Sequence, residues 1–159
     1  MAFQVQRPTP AFIGASWLAL FIGGIAYLVG LWNVQMPLNE KGFYFTILVY
    51  GLFAVVSLQK SVRDRLEGLP VTGIYFGLCW VSVGLALTLL TIGLWNASLR
   101  ASEKGFGAMS FVLSLFAAVA VQKNVRDLAL LDDGRFAEET GSARQPLVGP
   151  VAECREPTA

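Results

Sequence analysis

Two groups of charged side chains recur in this chain at fixed spacing. They are the residues with the means to do chemistry. An adjacent carboxylate and ammonium stand at Glu40-Lys41 and again at Glu103-Lys104. An ammonium, a guanidinium and a carboxylate stand at Lys60, Arg63 and Asp64, and again at Lys123, Arg126 and Asp127. If the hairpins pack side by side, the first set would gather four charges in a rim on the outer face. The cations of the second set would hold anionic lipid headgroups, with Asp64 and Asp127 placed to pair with arginine between the copies. Plainer roles are favoured for both. A glutamate in a first helical turn answers the helix dipole, and a lysine beside it snorkels to the interface. With no histidine in the chain, imidazole ligation and histidine-based catalysis are excluded. Cys79 and Cys154 form no metal motif, and phosphate loops, paired buried carboxylates and nucleophile–base sets are absent. No enzyme, cofactor or metal is expected. A net charge of +1 without a basic, aromatic-studded cluster gives no reason to expect nucleic acid.

The elements that carry these charges are apolar. The chain is 55% hydrophobic and 14% charged, with mean hydropathy +0.58. A soluble domain carries about 25% charged residues. Residues 11–32, 42–58, 71–95 and 105–121 contain no Asp, Glu, Lys or Arg, and about 17 to 25 apolar residues suffice for a helix to cross a bilayer. Four transmembrane helices are therefore predicted. The first is not a cleaved leader, because it ends in Trp-Asn without a cleavage site and recurs inside the chain. No span holds an ionisable group of the kind a proton relay needs. The hydroxyls of Ser16, Thr46, Ser57, Ser82, Thr88, Thr91, Ser110 and Ser114 are expected to bond backbone carbonyls or neighbouring helices.

Shifted by 63 positions, residues 13–64 fall on 76–127 without a gap, and twenty of the 52 pairs are identical. Matches concentrate in polar and aromatic positions, in GLWN (30–33, 93–96), EKGF (40–43, 103–106) and QKSVRD/QKNVRD (59–64, 122–127). Chance likeness between apolar segments would match Leu, Val and Ala instead. The reading is an all-α membrane protein of two tandem helical hairpins in parallel orientation. Residues 1–10 form an N-terminus, 11–67 and 68–131 the two units, and 132–159 a disordered tail. Trp32 and Trp95 suit the headgroup interface. Asn33 and Asn96 are expected to end their helices in the left-handed conformation, and Asn39 and Ser102 to cap the next ones. Gly42 and Gly105 suggest close backbone approach. Ala19, Gly23, Ala26 and Gly30 form a small-residue stripe, repeated as Ser82, Ala86 and Gly93, and the two stripes are expected to face each other. Gly51, Ala54, Ser114 and Ala117, with Gly73 and Gly77, add further packing faces. From these a homo-oligomer, most simply a dimer, is expected. Six basic residues flank the spans on the terminal side (Arg7, Lys60, Arg63, Arg65, Lys123, Arg126) and three on the other (Lys41, Arg100, Lys104). The positive-inside rule then places both termini in the cytoplasm.

The doubled GLWN–EKGF–QKxVRD pattern resembles the YiaA/YiaB family of small bacterial inner-membrane proteins over about residues 12–127, both units included. The resemblance implies a bacterial inner membrane and brings no established activity or catalytic residues. The expected role is structural or interactive, with membrane lipids as partners. An oligomeric channel for a small uncharged solute is the alternative.

Overall fold

The computed structural model describes residues 8–143, which form four α-helices: α1 Pro10–Asn33, α2 Leu38–Leu66, α3 Gly73–Asn96 and α4 Ala101–Ala143. Each contains a stretch long and apolar enough to cross a membrane, in α4 over Ala101–Leu131. At about 1.5 Å per residue, the 24 residues of α1 or α3 reach about 36 Å, more than the hydrocarbon layer of about 30 Å.

Local chemistry sets the helix ends. The Thr9 hydroxyl accepts the Phe12 N–H (3.4 Å) ahead of Pro10, whose missing N–H costs nothing in a first turn. The α2 terminus is a Schellman motif. Leu69 N–H donates to the Asp64 carbonyl (2.9 Å) and Gly68 N–H to that of Arg65 (3.3 Å), with Gly68 at φ 76°. The two short loops differ from expectation. Asn33 and Asn96 stay right-handed, and Gly68 is the only described residue with positive φ. Each chain leaves its helix through an extended residue, Val34 or Ala97, so no left-handed residue is required. Asn39 and Ser102 lie inside their first turns and do not cap. Pro37 precedes α2, its carbonyl accepting the N–H groups of Glu40 and Lys41. Ahead of α4, the Glu103 carboxylate reaches back to Arg100 N–H (2.9 Å), the acidic half of a capping box. Helix α4 also runs to Ala143, correcting the break expected after Leu131. Residues 132–143 include the helix formers Arg135, Ala137, Glu138, Glu139 and Ala143, and the next proline comes only at 146. The rest of the expected tail, 144–159, lies outside the described residues.

The chain runs as two hairpins, but the two helices within each hairpin, α1 with α2 and α3 with α4, scarcely pack on each other. Helix α1 lies along α4, α3 lies along α2, and α2 meets α4 between them. A shift of 63 residues turns the first pair into the second, so the units interlock about a pseudo-twofold axis running between α2 and α4. The core is Tyr27, Tyr44, Ile47, Leu48, Leu90, Phe111 and Leu115.

This packing corrects the expected use of small residues. The α1 and α3 stripes do not face each other; each lies on the second helix of the other unit. A Cβ on Gly23 would come 2.9 Å from Ser114 N, and one on Gly51 would come 2.8 Å from the Phe111 ring. Ala54 and Ala117 are buried in the same bundle, so Gly51 and Ala54 offer no face to a second copy. Gly73, Gly77, Gly42 and Gly105 have no atom within 4 Å of a Cβ placed on them. The packed face of α3 carries Cys79, Ala86 and Leu90. Gly73 and Gly77 sit about 240° and 200° around the helix from Cys79.

Candidate functional site at the two bundle ends

At the short-loop end the repeated motifs meet across units. Gly30 leaves room for the Phe106 ring, 3.0 Å from where a Cβ would stand; Gly93 does the same for Phe43. GLWN of one hairpin thus receives the phenylalanine of EKGF from the other. The adjacent lysine turns back to its own hairpin. Lys41 Nζ donates to the Trp32 carbonyl (2.9 Å) and lies 5.8 Å from that indole, while Lys104 Nζ donates to the Trp95 carbonyl (3.2 Å). A cation at the C-terminal carbonyls of a helix is favourable. Each EKGF therefore makes two joints, one within its unit and one between units. Trp32 and Trp95 themselves are over 80% exposed, as suits rings seated in a headgroup layer.

Two cavities open beside these joints. The first, about 400 Å³, is lined by Tyr27, Leu31, Tyr44, Leu94 and Phe106, with Glu103 among its few polar groups. Its pseudo-equivalent, about 440 Å³, is more polar, with Asn39, Glu40, Asn96 and Ser98 beside Phe43. Met36, Tyr44 and Leu99 line both. The Tyr27 hydroxyl donates to the buried Tyr44 carbonyl (3.0 Å), tying α1 to α2. The expected four-charge rim does not assemble, because both lysines are committed to tryptophan carbonyls. Among the described residues, neither Glu40 nor Glu103 has a cationic partner within 4.0 Å.

The terminal end is held by polar contacts. Asn124, fully buried, donates from Nδ2 to the Ser16 hydroxyl (3.0 Å), which itself donates to the Phe12 carbonyl (2.8 Å). Gln59 donates to the Val119 carbonyl (3.1 Å), joining α2 to α4. Arg126 pairs with Glu67, joining the units; Arg63 lies 3.5 Å from Glu67 and 3.9 Å from Asp64. The acid that links the units is therefore Glu67, not Asp64 or Asp127, since the end of α2 brings its last turn alongside α4. Lys60 and Lys123 are exposed. The hydroxyls of Thr46, Thr88, Thr91, Ser110 and Ser114 bond carbonyls of their own helices.

Sequence reasoning missed Tyr27, Tyr44, Asn124 and Glu67. Asn124 was signalled, because it is the position at which QKNVRD departs from QKSVRD. Glu67 was not, because it falls outside the matched segments.

Two stretches, 12–64 and 75–127, match the family described as the yiaA/B two helix domain. The chain belongs to this family. Two YiaA/B units account for the doubled motifs and for the pseudo-twofold packing. The chain is 55% identical to the inner membrane protein YiaA of Escherichia coli (strain K12) over 127 residues, covering 80% of this chain and 88% of that protein. It is 32% identical over 63 residues to the uncharacterized membrane protein YubF of Bacillus subtilis (strain 168), covering 39% of this chain and 72% of YubF. No solved structure matches it.

Proposed function

We propose that this YiaA/B protein is a multi-pass component of the bacterial inner membrane with a structural or interaction role, both termini in the cytoplasm. The observation that carries the role is the filled middle of the bundle. Phe111 and Ser114 are fully buried and Ala54 and Ala117 nearly so, and no Asp, Glu, Lys or Arg is buried with them among the described residues. Side chains fill the middle of the bundle, and the described residues place no acidic or basic group there of the kind a carrier's proton relay uses. The inner membrane is supported by the four apolar helices and by the relative of that name in Escherichia coli. Orientation is supported by the six-to-three excess of basic residues at the terminal end. Long apolar faces, including Phe53, Ile74 and Phe116 at over 70% exposed, fit membrane lipid as the surrounding partner.

Solute flux in proteoliposomes tests the role. The expected result is uptake of glycerol, urea and small amides indistinguishable from protein-free vesicles. Saturable flux that scales with the protein overturns the reading and requires an oligomeric pore. Orientation is tested by cysteines placed singly at Gln35, Ala97 and Leu69 in a thiol-free variant. An impermeant periplasmic reagent should label the first two alone, and labelling of position 69 alone inverts the topology.

A further inference from the structure

The two cavities at the short-loop end are pseudo-equivalent in position but unlike in lining, and the proposed membrane role uses neither. The first has the makings of a ligand site. Its volume of about 400 Å³ lies within the usual range for small-molecule pockets of about 300–1,000 Å³. Three aromatic rings, Tyr27, Tyr44 and Phe106, line it together with aliphatic Leu31 and Leu94. The Tyr27 and Tyr44 side chains are held by the hydrogen bond and packing already described, so this wall is preformed. One charge faces the apolar wall, the carboxylate of Glu103. Its neighbour Lys104 is diverted to the Trp95 carbonyl. Arg100 meets it through a backbone N–H on Oε2, and no cation answers it within 4.0 Å among the described residues. Aromatic rings beside a carboxylate that no cationic side chain pairs are the chemistry that recognises an organic ammonium ion, by cation–π attraction and by charge.

We infer that the cavity between the α1 C-terminus and the α4 N-terminus binds a small hydrophobic ammonium cation, its charge at Glu103 and its apolar part against Tyr27, Tyr44 and Phe106. The second cavity carries Glu40 in the matching place and repeats Asn33 and Ser102 as Asn96 and Asn39, but it lacks the Tyr27, Leu31 and Leu94 wall and adds Gln35 and Ser98. It is the weaker site for such a ligand.

The test is calorimetric titration of the full chain in uncharged maltoside micelles with benzyltriethylammonium. Saturable binding near one equivalent is expected. Glu103→Gln should weaken it by about tenfold or more, the equivalent of about 1.4 kcal/mol. Glu40→Gln should change it less than about threefold. Val34→Trp, at a loop residue that also lines the cavity, should abolish it while circular dichroism and elution volume stay unchanged. Absence of saturable binding overturns the inference, as does equal binding by the wild type and Glu103→Gln. If a short-chain phosphatidylethanolamine displaces the probe and binds more tightly than it does, the site belongs to a lipid headgroup and the inference falls. Flux in proteoliposomes is a separate readout, so failure here leaves the membrane role standing.

Discussion

The α1–α4 seam and the α2–α3 seam are two solutions to one packing problem. They are related by the 63-residue shift, yet they are held by different chemistry. In the first, Gly23 lets α1 approach the Ser114 backbone, the Tyr27 ring packs on Phe111, and Ser16 is bonded to Asn124. In the second, the equivalents are Ala86, Leu90 and Cys79, all buried. Ser61, the counterpart of Asn124, spends its hydroxyl on its own helix, at the Ser57 and Leu58 carbonyls. One seam is cross-bonded and the other is apolar. Both keep the same helix arrangement, so close packing sets the fold and the polar contacts adjust one half of it. Polar contacts between membrane helices average only about 0.6 kcal/mol, which agrees with that order.

The comparison breaks most readily at the closest approach. Gly23→Val puts a branched side chain into Ser114, where the nearest atoms include backbone. It should cost about 3 kcal/mol, measured by reversible SDS unfolding in mixed micelles. Ala86→Val on the other seam should cost less, and an equal cost would remove the distinction. Tyr27→Phe keeps the ring against Phe111, at 5.9 Å between centroids, and removes the cross-helix hydroxyl. A loss of about 1 kcal/mol is expected, seen as a lower SDS midpoint. Asn124→Ala should cost about 0.6 kcal/mol. The loss is limited because its unpartnered Oδ1 goes too. Ser61→Ala in the same assay should cost less still. At the small end, Gly77→Leu should change stability by less than about 0.5 kcal/mol. A Cβ there meets nothing, and a large loss would reveal a contact with another chain.

The short-loop end shows a different balance. There the two units keep identical residues, GLWN and EKGF, and repeat the same two joints. A joint that both units keep unchanged reads from the sequence as a repeat. A joint that differs between them, such as Ser16 to Asn124, reads only as a mismatch.

The sequence by itself determined the four apolar helices, the tandem units and the family, because length, apolar character and motif spacing are properties of the chain alone. It also marked Gly30 and Gly93 as positions where something comes close. What it left undecided was the partner of each face. Helix periodicity says which residues share a side, not which helix lies against it. Both hairpins expose equivalent faces, so pairing within a unit and pairing across units satisfy the same pattern. Tertiary structure decided for the crosswise arrangement. It seats Phe106 on Gly30 and Phe43 on Gly93, buries Gly51 and Ala54 inside the chain, and leaves Gly73 and Gly77 open. The physical reason is that close packing is a property of two surfaces together, and in lipid no hydrophobic drive between helices exists to rank the faces in its place.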